Sequence, residues 1–187
     1  MNLILNDIIL FSMVILAVYF DLTQKKIPNF ITLPVILWGL SAYTIFGGFE
    51  GFKFSFFGFI TGLGILVIPF ILGALGGGDV KFLAAIGALK GFEFTLYTLL
   101  YSSFAGGVIV IIYLIYKKKL GITLKRILGL ILRPLLFVLT STFNNQKLKE
   151  INDYFLGLGT GVKSTYLPYG VAIGLGVVIS YVNGVIK

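Results

Sequence analysis

Neither histidine nor cysteine occurs anywhere in the 187-residue sequence. Their absence removes a Ser-His-Asp triad, a Cys-His pair and a His-x-Glu-x-x-His zinc site together, because each needs one or the other. No disulfide or thiolate chemistry is available, so cysteine usage does not report the redox compartment. No metal and no cofactor is expected. Charge is also scarce: charged residues make up 12% of the chain, and only seven are acidic. These are Asp7, Asp21, Glu50, Asp79, Glu93, Glu150 and Asp153. Any acid-base catalysis therefore falls to Asp, Glu, Lys or Tyr.

The chain is instead rich in apolar residues. The hydrophobic fraction is 58% and the mean hydropathy +1.03, far above a soluble domain. Apolar runs of roughly twenty residues, about the length that crosses a hydrocarbon core, recur along it. The reading is an all-α, polytopic membrane protein of about six transmembrane helices, forming one domain over residues 1–187. Spans are expected near Leu3–Phe20, Phe30–Phe46, Phe54–Leu75, Asp79–Leu89, Phe94–Tyr116 and Leu167–Val185. The first run has no basic leader and no small-residue cleavage site, so it reads as a retained span and not a cleaved signal. Gly-rich sequence around Glu50 and Lys53 is expected to connect the second and third spans. The fourth is short: from Asp79 to Leu89 a helix rises only ~16 Å, about half the hydrocarbon core. Either it is truncated and the bilayer thins around it, or Lys90 and Glu93 sit below the surface as a pair. A short helix is the favoured reading.

Residues 117–164 read as a cytoplasmic and interfacial insertion. Ile127–Thr140 is apolar, but Arg133-Pro134 interrupts it and Lys125 and Arg126 precede it. An amphipathic helix lying on the membrane surface fits this pattern. With six spans and an external N-terminus, every basic residue except Lys53, Lys90 and Lys187 falls inside, as the positive-inside rule asks. The net charge of +8 then belongs to orientation and to anionic headgroups of the bilayer, not to nucleic acid.

In this topology Asp21 closes the first span and Asp79 opens the fourth, both at the cytoplasmic edge. Ionisable groups at membrane depth are costly, and those present tend to be functional. Two carboxyls that approach within a few ångströms share one proton, so one can take a proton from water while the other donates to a carbonyl oxygen. Taken alone, each Asp is as readily a helix cap or boundary residue. Gly76, Gly77 and Gly78 permit backbone conformations closed to other residues and leave room for an extended peptide; taken alone, they are a packing or turn feature. Lys81 is placed to orient a carboxylate or meet a phosphate. Pro28 stops a helix from continuing through it, and Asn29 is expected to cap the next one. Lys25 and Lys26 read as topology determinants.

Taken together, Asp21 with Ile27-Pro28-Asn29, then Gly76-x-Gly78-Asp79-x-Lys81 and Phe82-Leu83-Ala84-Ala85-Ile86-Gly87-Ala88, resembles the type IV prepilin peptidases. Leu167-Pro168-Tyr169-Gly170-Val171-Ala172 resembles the start of that family's final helix. The resemblance implies a membrane aspartic endopeptidase with a Gly-x-Gly-Asp motif, Asp21 and Asp79 as its catalytic pair. It implies pilin-like precursors as partners, their short basic leaders removed at the cytoplasmic face of the cell membrane. Glu150 and Asp153 could attract such a leader, although a solvated loop explains them equally. Many relatives carry an N-terminal four-cysteine region linked to N-methylation. This sequence opens on a membrane span without cysteine, so peptidase activity without methylation is expected, as in the short peptidases of tight-adherence pili and archaeal pilins.

Two other protein classes use similar parts. Presenilin-type proteases share Gly-x-Gly-Asp but carry their other aspartate in a Tyr-Asp motif, whereas Phe20 precedes Asp21 here. A small transporter could use the two aspartates as a proton or cation site, and a membrane scaffold would use neither.

Overall fold

In the computed structural model, residues 3–143 and 168–184 are described. All regular structure among them is helical: α1 (Leu3–Gln24), α2 (Asn29–Ile71), α3 (Gly77–Tyr116), α4 (Leu120–Phe143) and α5 (Tyr169–Val182). Three of these, α1, α2 and α3, are long and apolar enough to cross a membrane, while α5 is apolar but shorter. Four of these helices, α1, α2, α3 and α5, stand where six spans are expected, and α4 falls in the expected insertion. The reason lies in two glycines. α2 is two helical limbs meeting at Gly48 (φ 58°, ψ −144°), and α3 is two limbs meeting at Gly91 (φ 78°, ψ −176°). Each glycine takes a positive φ that a side chain resists, and it is the one residue of its helix outside helical φ/ψ. Glu50 and Lys53 are therefore helical and ion-paired with each other at 2.8 Å, not part of a loop.

Two compact units divide the chain: Met1–Gly107 with Leu167–Lys187, and Val108–Tyr166. In the first, the opening limb of α3 is the centre. Phe82, Leu83, Ala84, Ala85, Ile86, Ala88 and Leu89 are all fully buried, which is why this stretch is apolar on every side. Both limbs of α2 approach it through glycines. A methyl group added at Gly39 would meet the Ala88 backbone, one at Gly58 the Gly87 carbonyl, and one at Gly62 the Leu83 carbonyl. Small residues allow this backbone approach, the usual way membrane helices gain contact where lipid offers no hydrophobic contrast. α1 and α5 run antiparallel, with Gly174 against Val14 and Val18 and the Phe11 and Tyr181 rings 5.1 Å apart.

The second unit holds the end of α3, a turn in which Lys118 takes φ 53°, and α4. The apolar residues of α4 gather on one side more strongly than in any other described helix, in keeping with the expected amphipathic segment. Arg133-Pro134 does not interrupt it: the helix runs on to Phe143. Glu150, Asp153, Lys147, Lys149 and Lys163 lie outside the described residues.

Candidate active site

Asp21 begins the last turn of α1, which continues to Gln24 instead of ending at the carboxylate. Lys25 then takes φ 56°, a left-handed conformation that stops the helix, and its N–H closes on the Asp21 carbonyl at 3.1 Å. Ile27 turns into the core and is buried. Pro28, extended at φ −71° and ψ 147°, launches α2. The Ile27-Pro28-Asn29 motif is thus a tight connection that returns the chain beside α1 immediately after Asp21.

Asp79 lies in the first turn of α3 and is half-buried. The Gly76 N–H donates to its carboxylate at 3.2 Å, and the Asp79 N–H donates to the Gly76 carbonyl at 3.1 Å. This reciprocal pair resembles a capping box and holds the Asp79 side chain against the turn. The expectation that Gly76, Gly77 and Gly78 provide unusual backbone conformations needs correction. The positive φ in this segment is at Gly73 (72°), and Gly77 and Gly78 are already helical. At Gly78 the gain is closeness. A methyl group there would stand 3.1 Å from both the Ile27 carbonyl oxygen and Cβ. The two sequence motifs, some fifty residues apart, are packed directly together at this point.

A second contact ties them. The Lys81 ammonium donates to the Asn29 side-chain oxygen at 2.8 Å. Asn29 is therefore the first residue of α2, with no side-chain cap bond made by the preceding Pro28, and its amide serves the other motif instead of the helix end. Among the described residues Lys81 forms no ion pair with a carboxylate.

Asp21 and Asp79 are brought within Coulombic range of each other. Asp21 is 2% exposed, and a third element closes over it. A methyl group at Gly170, in the first turn of α5, would come 2.7 Å from the Asp21 Oδ2 and 2.9 Å from its Cγ. Only a glycine lets the start of α5 rest on the carboxyl, and the amino end of a helix is favourable ground for a negative charge. Sequence reasoning quoted Gly170 only as part of a resemblance; its role as the seat of Asp21 is a contact between the first and last helices. A small residue at a helix start was the one available signal.

Chemically, a buried and a half-buried carboxyl whose charges interact can titrate as a pair and offer an acid and a base to water and a carbonyl. Among the described residues no group of three or more His, Cys, Asp or Glu side chains is placed to hold a metal ion.

The sequence matches the model of the type IV leader peptidase family over residues 8–111, more than half of the chain, a stretch that includes both aspartates. No curated protein and no solved structure gives a match. With both motifs inside the matched stretch and packed together on apolar helices, the chain belongs to the type IV leader peptidase family.

Proposed function

We propose that this protein is an aspartic endopeptidase of the cell membrane that removes the short basic leader from type IV pilin-like precursors at the cytoplasmic face. The observation that carries the reading is the convergence of Asp21 and Asp79, from helices distant in sequence, within Coulombic range. Family membership supports a leader peptidase over a transporter or a scaffold. The topology that goes with it has six spans, the two limbs of α2 and of α3 counted separately, within a single domain. The N-terminus lies outside and the basic residues lie near anionic headgroups on the inner side.

In the mechanism, one carboxyl of the pair takes a proton from water as its oxygen attacks the scissile carbonyl carbon. The other delivers its proton to the carbonyl oxygen. Collapse of the tetrahedral intermediate breaks the C–N bond: the leaving nitrogen takes a proton from one carboxyl while the other recovers one from a hydroxyl of the intermediate, and the pair returns to its one-proton state. No covalent intermediate or metal is needed. Gly78, Ile27, Asn29 and Lys81 keep the two motifs packed together, and Gly170 seats Asp21. Gly76 orients Asp79 through its N–H.

The test is incubation of detergent-purified protein with a pilin precursor, the cleaved bond being located by mass spectrometry. The unaltered protein should release the leader just before the apolar helix of the precursor. Asp21→Asn and Asp79→Asn should each abolish release while still inserting in the membrane. Normal processing by either variant would refute the pair.

A further inference from the structure

At the end of the first unit remote from the aspartates lies a second polar layer that this chemistry does not use. The Lys90 ammonium is ion-paired with Asp7, their side chains only 5% and 23% exposed. Glu93, the partner in the less favoured reading of this stretch, is exposed instead. The Tyr181 hydroxyl donates to the other Asp7 oxygen at 2.9 Å, and its ring centroid lies 5.8 Å from the Lys90 nitrogen. Beside Asp7, Asn6 accepts from the Trp38 indole N–H at 3.3 Å and donates to the Tyr43 hydroxyl at 3.4 Å. That hydroxyl in turn donates to the Leu89 carbonyl at 2.8 Å, where the first limb of α3 ends.

Three helices connect this layer to the aspartate layer, and each serves as a ruler. From Asp79 to Lys90 α3 rises ~16 Å, from Gly170 to Tyr181 α5 rises the same ~16 Å, and from Asp21 to Asp7 α1 rises ~21 Å. A hydrocarbon core is ~30 Å thick. If the aspartates lie at one boundary of an undisturbed bilayer, the Asp7–Lys90 pair stands near its middle, where charge is most costly. α5 cannot escape this by tilting, since its 14 residues reach only ~21 Å in all. Its outward residues Leu175, Val178 and Val182 are exposed and apolar, so lipid chains meet this short helix directly.

We propose that the bilayer thins against the face formed by α1 and α5, to roughly 20 Å of hydrocarbon, so that headgroups and water reach both polar layers. The partner is the phospholipid bilayer itself, and the surface that deforms it adjoins Asp21 through Gly170. The second limb of α2, Phe49–Ile71, rises ~33 Å and matches an ordinary bilayer, so the thinning is one-sided.

Trp38 is the single tryptophan of the chain, 39% exposed, and lies in the second polar layer. The unaltered protein would be reconstituted in phosphatidylcholine vesicles brominated at successive depths along the acyl chain. Thinning places Trp38 at the headgroup boundary, so bromines nearest the glycerol should quench its fluorescence most and those near the chain ends least. Strongest quenching from mid-chain or terminal bromines overturns the proposal. Independently, the thermal unfolding midpoint should be highest in short-chain (myristoleoyl) vesicles and fall through oleoyl to erucoyl. A maximum at oleoyl or longer overturns it as well. Neither readout involves peptide cleavage, so the outcome is separate from the fate of the proposed activity.

Discussion

One methyl group is enough to probe the contact between α5 and Asp21. Gly170→Ala puts a carbon 2.7 Å from the Asp21 Oδ2, so either the carboxyl or the start of α5 must shift by several tenths of an ångström. Small misplacements of a reacting group cost heavily, and precursor cleavage should fall by about 100-fold. Gly107→Ala, with open space around the added carbon, should leave the rate unchanged; both are checked by single-turnover cleavage assays. The Lys81–Asn29 bond calls for a different design. Lys81→Met and Asn29→Ala should each lower unfolding free energy by about 0.5–1 kcal/mol. The double variant should lose no more than either single one, because they remove the same bond; denaturant titration of all three reads this out. The legibility of the site divides along the same line. Asp21, Asp79, Ile27, Asn29 and Lys81 announce themselves because each sits in a short motif whose spacing survives in sequence. Gly170 and the Asp7–Lys90 pair do not, because a glycine that seats a carboxyl and a lysine that finds an aspartate eighty-three positions away have meaning only once helices are packed.

The two bent helices separate conformational from steric demand. Gly48 and Gly91 both hold positive φ, but an added carbon at Gly48 meets nothing within 4 Å while one at Gly91 overlaps the Phe54 ring. Gly48→Ala should therefore cost only the backbone term, about 1–3 kcal/mol. Gly91→Ala should cost distinctly more, with thermal unfolding of the purified protein giving the order. The long apolar helices were legible from hydropathy, and so was the one-sided apolar pattern of α4. Their joints were not. A glycine-rich stretch signals a break but not whether it is a loop or a one-residue bend, and Gly47-Gly48 and Lys90-Gly91 prove to be bends. Likewise Arg133-Pro134 reads as an interruption, yet the helix passes through it.

Across the whole molecule the part-buried Asp7–Lys90 pair sets a test of how charge is tolerated inside the bundle. Removing Asp7 leaves the Lys90 ammonium buried and uncompensated, so Asp7→Leu alone should cost about 3–5 kcal/mol. Replacing both, as Asp7→Leu with Lys90→Met, should recover most of that loss. Equilibrium unfolding in mixed micelles distinguishes the two. If the double variant were as unstable as the single one, the polar layer would be holding the fold together by more than its own ion pair.

The glycine seam around the first limb of α3 also determines which parts of the bundle can move. With Gly39, Gly58 and Gly62 laid on the Ala88, Gly87 and Leu83 backbone, sliding that limb by one residue, ~1.5 Å, would drive side chains into carbonyls on two sides. Asp79 therefore rides on a stationary post. Under the proposed activity, any adjustment that admits a peptide bond between the carboxyls would fall to α1 and α5, which Gly170 and Gly174 hold in contact.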